Sequence, residues 1–330
     1  MGRSQGPAAK LARYLRAMLL AGALLPAIAA AAPADDVGVV WDNGPGGERY
    51  VALGDSAASG PGILNQREDP LACERSDRNF PTLVANRLGV KAFRDVTCSS
   101  ATTAHFKEPQ EMPNDIPGVN PPQLDALSPD TTLVTLGPIG ANDFNLVGVG
   151  IGCINPAPPD SAGTSCKDTY AAGGKDPNVE TIDGLYPKLT RILHQVHKGA
   201  PQARVFIVGY GRYFPVGGCW PYVPVWPEDA DYIQSLVDRI DAVLARVARQ
   251  DPWAKRRSAR KAGHHRARYV SIQGNNAVAH TMCAAPAMQW ITQLTDPLSG
   301  NGIIAHPTAR GMAAFGRIVT GAIRRAGAAK

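Results

Sequence analysis

Short apolar runs alternate with amphipathic stretches along most of the chain, and this alternation limits the fold more than any other feature. Strands are predicted over residues 49–53, 93–96, 132–136, 204–208 and 269–272, each four or five residues long. Between them, Phe80, Leu83, Val84 and Leu88 recur at helical spacing, with Gly89 as the stop. Leu185, Leu189, Ile192, Leu193 and Val196 form a second helical stripe, with Pro187 expected in its first turn. A long helix is predicted from Asp229 to Arg249, carrying Ile233, Leu236, Val237, Ile240, Val243, Leu244 and Val247. A terminal helix, opened by His306 and Pro307, carries Met312, Phe315, Val319 and Ile323 on one face. Strand–helix alternation of this kind gives a parallel sheet covered on both faces, with ligands bound at the carboxyl ends of its strands.

The first strand runs into Gly54-Asp55-Ser56-Ala57-Ala58-Ser59-Gly60, where apolar residues give way abruptly to small and polar ones. This reads as a strand end, a tight turn and a helix start. A serine there exposes its hydroxyl for attack and points its N–H to where an oxyanion would form. Ser56 is the candidate nucleophile. Gly-Asp-Ser alone is weak support, because such tripeptides are common in turns.

The N-terminus carries a targeting signature. Arg3, Lys10, Arg13 and Arg16 precede an apolar run, 17–29, that is too short to span a bilayer, and Ala29-Ala30-Ala31 offers a peptidase site. Residues 1–31 are expected to be a signal peptide cleaved after Ala31, residues 32–48 an exposed lead-in, and residues 49–330 one domain. Residues 1–31 hold four basic residues and no acidic one, so the formal charge of +6 falls by four to +2 in the mature chain. The strong basicity is partly that of the signal. All six cysteines, Cys73, Cys98, Cys153, Cys166, Cys219 and Cys283, lie beyond it. An even count in an exported chain predicts three disulfides, with the pairing left open among fifteen arrangements. No close Cys-x-x-Cys pair supports a metal site, and no metal or cofactor is implied.

Residues 107–123 are proline-rich and read as a long loop; residues 150–178 are irregular and read as a binding insertion. Residues 254–268 are strongly basic, with Lys255, Arg256, Arg257, Arg260, Lys261, Arg266 and Arg268 beside His264 and His265. The stretch would suit peripheral contact with an anionic membrane surface; a solvated loop is the favoured reading. No aromatic residue interleaves the charges, which argues against nucleic acid.

A serine needs a base. His194 and His197 lie on a helix and are expected at the surface, His264 and His265 fall in the basic stretch, and His280 lies near Cys283 and suits ordering of that loop. His105 follows the second strand and remains open. His306, at a fixed turn before a proline late in the chain, can reach over the strand ends. Oxyanion donors could come from Gly140-Ala141-Asn142-Asp143, directly after a buried strand, and from a backbone N–H of Cys98-Ser99-Ser100-Ala101-Thr102.

Taken together and in order, Gly54-Asp55-Ser56, the Cys98–Thr102 segment, Gly140-Ala141-Asn142-Asp143 and His306-Pro307 resemble the four blocks of the SGNH (GDSL-type) hydrolases, specifically the secreted actinobacterial lipase/esterase group. The likeness runs from about Tyr50 to the C-terminus, and includes Ala200-Pro201-Gln202-Ala203-Arg204, Gly209-Tyr210 and His280-Thr281-Met282-Cys283. It implies a flavodoxin-like three-layer α/β/α sandwich with a central parallel sheet. It also implies Ser56 as nucleophile, His306 as general base and acid, and an oxyanion hole of the Ser56 N–H, the Ser100 N–H and the Asn142 side chain. The pairing Cys73–Cys98, Cys153–Cys166 and Cys219–Cys283 follows from the resemblance. Two departures stand out. Ser100 replaces the usual glycine, which is tolerable if the turn does not require a positive φ. Ile303 stands where an aspartate often precedes the histidine, so either the Ile303 carbonyl or, less favoured, Asp296 would orient His306.

The resemblance implies a secreted, monomeric esterase or lipase acting on a lipid or other acyl ester through an acyl-serine. A carbohydrate O-acetylesterase or an acyltransferase would use the same residues. A non-catalytic glycan- or lipid-binding module is the alternative of another class, supported by Ser100 and the missing acid and opposed by the presence of Ser56, Asn142 and His306 together.

Overall fold

The computed structural model describes residues 37–111, 118–159, 161, 163–255, 266–274, 276–295 and 300–328. They belong to one compact unit, Ala32–Lys330. Residues 1–31, expected to be a signal peptide, lie outside the described residues, as do Asp296 and most of the basic stretch.

Strands β1 (Val39–Asp42), β2 (Arg49–Leu53), β3 (Ala92–Asp95), β4 (Leu133–Leu136), β5 (Arg204–Val208) and β6 (Arg268–Val270) form one sheet in the order β1-β3-β2-β4-β5-β6. β2 lies between β3 and β4, with Tyr50 opposite both Phe93 and Leu133. The neighbours β2–β3, β2–β4, β4–β5 and β5–β6 are all parallel. β1 is antiparallel to β3, so the sheet is mixed at one edge. This corrects the reading of residues 32–48 as a mere lead-in. Val39-Val40-Trp41-Asp42 has strand-forming residues but is only four long and follows Gly38, which hid it.

The helices are α1 (Ser56–Ser59), α2 (Phe80–Leu88), α3 (Leu146–Gly152), α4 (Cys166–Ala171), α5 (Pro177–Gly199), α6 (Pro227–Arg249) and α7 (Ala309–Ala328). α5 packs on α6, and α2 on α7. The crossover β2–α2–β3 runs one way along the sheet, whereas β4–α5–β5 and β5–α6–β6 run the other. Right-handed crossovers of opposite direction place their helices on opposite faces, which gives the three layers. The β2, β4 and β5 strands are buried almost throughout, as a doubly covered sheet requires.

α5 begins ten residues before Pro187, where Asp176 caps the N–H groups of Asn178 and Val179 at 2.8 and 3.4 Å and Pro177 opens the helix. Pro187 therefore lies inside the helix, on an exposed face, where the carbonyl of Asp183 that loses its donor is open to water. His197 is buried, contrary to the surface reading: it stands four residues after Leu193, on the apolar stripe. Its Nε2 meets Asp251 Oδ2 at 3.0 Å and its ring stacks on Trp253. The terminal helix starts at Ala309, so His306 sits in the turn before it. Inside 107–123, Gln110–Glu111 pairs with Val119–Asn120.

The disulfides are Cys73–Cys98, Cys153–Cys166 and Cys219–Cys283, and among the described residues no cysteine is free. Among them, too, no helix is long and apolar enough to cross a membrane, and no group of three His, Cys, Asp or Glu could hold a metal ion.

Candidate active site

The chain leaves β2 for β3 in one direction and β4 for β5 in the other, so the crevice between the ends of β2 and β4 is the topological switch point of the sheet. Open α/β sheets bind ligands at such a crevice. The Gly54–Ser56 turn follows β2, and Gly140–Asn142 follows β4.

Asp55 builds the first turn. Its backbone N–H donates to Pro138 O at 2.9 Å, and its Oδ1 accepts from the Ala57 N–H at 2.9 Å as the N-cap of α1. Gln123 clasps the residue before it: its Nε2 donates to Gly54 O at 2.9 Å, and its Oε1 accepts from the Gly54 N–H at 2.8 Å. A side chain at position 54 would press on Ala58 Cβ and Pro138 O, both 3.1 Å from where its Cβ would stand, so the turn needs glycine. These contacts leave Ser56 first in α1, its N–H at the helix start.

Ser56 Oγ lies 2.8 Å from His306 Nε2, across 250 residues of sequence. The other ring nitrogen, Nδ1, is 2.7 Å from Ile304 O. A carbonyl only accepts, so Nδ1 carries the hydrogen and Nε2 presents a lone pair to the serine hydroxyl. Burial holds the His306 imidazolium below its ordinary pKa of 6.5, partly offset by the Ile304 carbonyl. The ring is therefore neutral and basic at neutral pH. The carbonyl is that of Ile304, one residue on from the expected Ile303. Ile303 O is already occupied, accepting from the Thr292 hydroxyl and from the His306 backbone N–H. Thr292 Oγ lies 3.2 Å from the His306 backbone nitrogen, and the Thr292 N–H donates to His306 O at 2.9 Å.

The second block is held on both sides of Ser100. The Ser99 N–H donates to Cys73 O at 3.0 Å, Ser99 O accepts from Gln110 Nε2 at 2.7 Å, and the Ala101 N–H donates to Cys98 O at 3.1 Å. The turn does use a positive φ, +62° at Ser100, so the condition set for replacing glycine is not met. A serine in this region bears a local backbone penalty that the disulfide and these bonds must hold in place. Among the described residues, the N–H groups of Ser56 and Ser100 have no protein acceptor.

The third block grips the second. Asn142 Nδ2 donates to Ala101 O at 2.9 Å, which uses one amide hydrogen and leaves the other. Asp143 accepts from the Thr103 N–H at 2.9 Å and from its hydroxyl at 2.5 Å. His105 is engaged locally, its Nδ1 accepting from the Thr102 N–H at 3.0 Å, and His280 Nδ1 contacts Met288 O at 2.6 Å.

The four residues singled out from the sequence thus fall on four turns, with Ser56 and His306 in direct contact and Asn142 bonded to the residue after Ser100. Three residues escaped the sequence reading: Gln123, Thr292 and Tyr210. The Tyr210 hydroxyl reaches Asp55 and Ala141. The sequence showed Tyr210 only as part of Gly209-Tyr210 in the family likeness, directly beyond a buried strand, with no role assigned.

Comparison with known proteins bears directly on this arrangement. The model of the GDSL-like Lipase/Acylhydrolase family matches residues 52–314. The chain belongs to that family. Lipase 2 of Streptomyces coelicolor is 35% identical over 268 residues, covering 79% of this chain and 81% of that protein. The structure resembles an extracellular lipase from Streptomyces rimosus (TM-score 0.61, 24% identity, 83% of this chain and 97% of that one). It also resembles a phospholipase A1 from Streptomyces albidoflavus (TM-score 0.62, 23% identity, 83% and 98%). These two likenesses show a shared fold, consistent with the three-layer α/β/α arrangement. As a GDSL-family member the protein is a carboxylic-ester hydrolase.

Proposed function

We propose that the protein hydrolyses a lipid or other acyl ester through an acyl-enzyme on Ser56. The observation that carries this reading is the run of contacts Ser56 Oγ, His306 Nε2, His306 Nδ1, Ile304 O. As Ser56 Oγ attacks the ester carbonyl, its proton passes to His306 Nε2. The carbonyl oxygen gains charge and is met by the N–H groups of Ser56 and Ser100 and the second hydrogen of Asn142 Nδ2. Collapse expels the alcohol, which takes the proton back from Nε2. Water then attacks the acyl-serine with His306 again as base, releasing the acid and restoring the serine hydroxyl. No step calls for a metal or cofactor.

Export is part of the reading. Three disulfides suit an oxidising compartment. Lipid contact is supported at the edge that carries Ser56, because exposed Leu64, Ile151, Val216, Tyr222, Val278 and Met288 all lie on connections leaving the carboxyl ends of strands. The basic stretch favours it less, since its described end, Arg266 to Arg268, leads into the amino end of β6.

Covalent labelling tests the reading. A p-nitrophenyl phosphonate ester should abolish hydrolysis of p-nitrophenyl butyrate and leave one phosphonyl group on the peptide containing Ser56, and Ser56→Ala should neither label nor turn over. Labelling elsewhere, or turnover by Ser56→Ala, would overturn it.

A further inference from the structure

Tyr210 lies just beyond β5, two strands from Ser56, and is fully buried. Its hydroxyl donates to Asp55 Oδ2 and accepts from the Ala141 N–H at 3.0 Å. Asp55 is the residue before the nucleophile, and Ala141 the residue before the oxyanion amide of Asn142. One hydroxyl therefore joins the turn that carries the attacking oxygen to the turn that carries a donor for the developing charge. Its own backbone is anchored in turn: the Tyr210 N–H donates to Asp241 Oδ1 at 2.8 Å, and Asp241 Oδ2 accepts from Gln273 Nε2 at 3.0 Å.

The sheet alone does not fix this separation. β2 and β4 are locked in register as far as Leu53 and Leu136, and the Asp55 N–H to Pro138 O bond extends the lock slightly. Beyond it the chain turns at Gly140, whose φ is +114°, before reaching Asn142. The Tyr210 hydroxyl is the contact that pins the far side of that turn to Asp55. Packing does not explain the choice of tyrosine, because phenylalanine would fill a fully buried site without a hydroxyl to desolvate. Burial pushes the Asp55 carboxyl up to about 7, while the Tyr210 hydroxyl and the Ala57 N–H pull the other way. An ionised Asp55 thus depends on this donor, and Asp143 and Tyr213 face the same carboxylate.

We propose that Tyr210 is a positioning residue of the ester hydrolase, acting through Asn142 by setting the distance between that amide and Ser56. The proposal rests on the reading of Ser56 and Asn142 given above. Oxyanion donors act over tenths of an ångström, and misplacement by about 1 Å can lower a rate a hundredfold.

A double-mutant cycle on a soluble short-chain ester tests it, with folding of each variant checked by circular dichroism. Tyr210→Phe should lower kcat about ten- to a hundredfold with KM within about twofold, because a donor aimed at the transition state is displaced. In an Asn142→Ala background the same substitution should lower kcat by about twofold or less, since the donor it positions is gone. An unchanged kcat, a rise confined to KM, or an equal fold-loss in both backgrounds would overturn the proposal. If Tyr210→Phe does not fold, Asp55→Ala carries the same cycle, because it removes the acceptor of the tyrosine hydroxyl and leaves Ser56, Asn142 and Tyr210 in place. Turnover by Ser56→Ala would instead refute the underlying reading. With Ser56→Ala inactive, the cycle bears on Tyr210 alone.

Discussion

The Nδ1–H of His306 donates to the main-chain carbonyl of Ile304 at 2.7 Å, and that bond decides which face of the imidazole meets Ser56. A carboxylate in the same place would also stabilise the imidazolium and raise its pKa; a carbonyl fixes the tautomer with only a partial charge. Burial then dominates and holds the pKa below 6.5. In the proposed mechanism the base works neutral, so activity should be present above that pKa and lost as pH falls through it. kcat/KM measured across the acid and neutral range should be flat around neutrality and fall with a midpoint below 6.5. A midpoint above that value would mean that an anion faces the ring.

One Asn142 amide hydrogen holds Ala101 O, and in the proposed mechanism the other meets the oxyanion. Asn142→Ala removes both the donor and the tether. Loss of a single oxyanion donor typically lowers turnover by about 10²–10³. Steady-state kinetics should show kcat reduced by at least that much with a smaller change in KM. A change mainly in KM would place Asn142 in ground-state binding.

The Cys73–Cys98 disulfide does two things at once. It closes a 25-residue separation, which restricts the unfolded chain by about 3.5 kcal/mol. It also fixes the block whose Ser99 N–H is bonded to Cys73 O and whose Ser100 sits at φ +62°. Replacing both cysteines by serine should lower the Tm and also lower kcat at temperatures where the variant is folded. Replacing Cys153 and Cys166, which cross-link residues within the 150–178 insertion, should affect kcat less. Equal effects on kcat would show that the second block does not depend on its cross-link. Denatured, unreduced protein should titrate no free thiol.

The basic stretch joins β6 at its amino end, whereas Ser56 lies at the carboxyl edge of the sheet. Neutralising Lys255, Arg256, Arg257 and Arg260 together should leave kcat and KM for a small soluble ester within about twofold, because these charges are far in sequence from every catalytic block. A tenfold loss would show that the stretch reaches the active-site wall.

Much of this architecture was legible because its signals are local. The Phe80–Leu88 helix and the Arg49–Leu53 and Arg204–Val208 strands were read at their observed bounds, since their apolar spacing and flanking turns are self-contained. Ser56, Asn142 and His306 were visible as polar residues at the ends of predicted elements. What escaped depends on partners distant in sequence. β1 is a strand only because β3 offers it an edge. His197 is buried because Asp251 and Trp253 cover it. Ile304 replaces Ile303 because the Thr292 hydroxyl occupies the Ile303 carbonyl, a contact across 11 residues that no local pattern announces. Tyr210 reaches Asp55 across 155 residues.

The central claim is that a serine–histidine dyad, steadied by the Ile304 carbonyl, suffices for turnover. Asp296, ten residues before His306, is the acid that would serve if a triad operated instead. The decisive measurement is kcat/KM of folded Asp296→Asn on one short-chain ester, beside Ser56→Ala and His306→Ala. The dyad predicts that the Asp296 variant loses about tenfold or less while the other two lose nearly all activity, since a triad aspartate replaced in this way can lower kcat by about 10⁴. A thousandfold or greater loss in Asp296→Asn would contradict it.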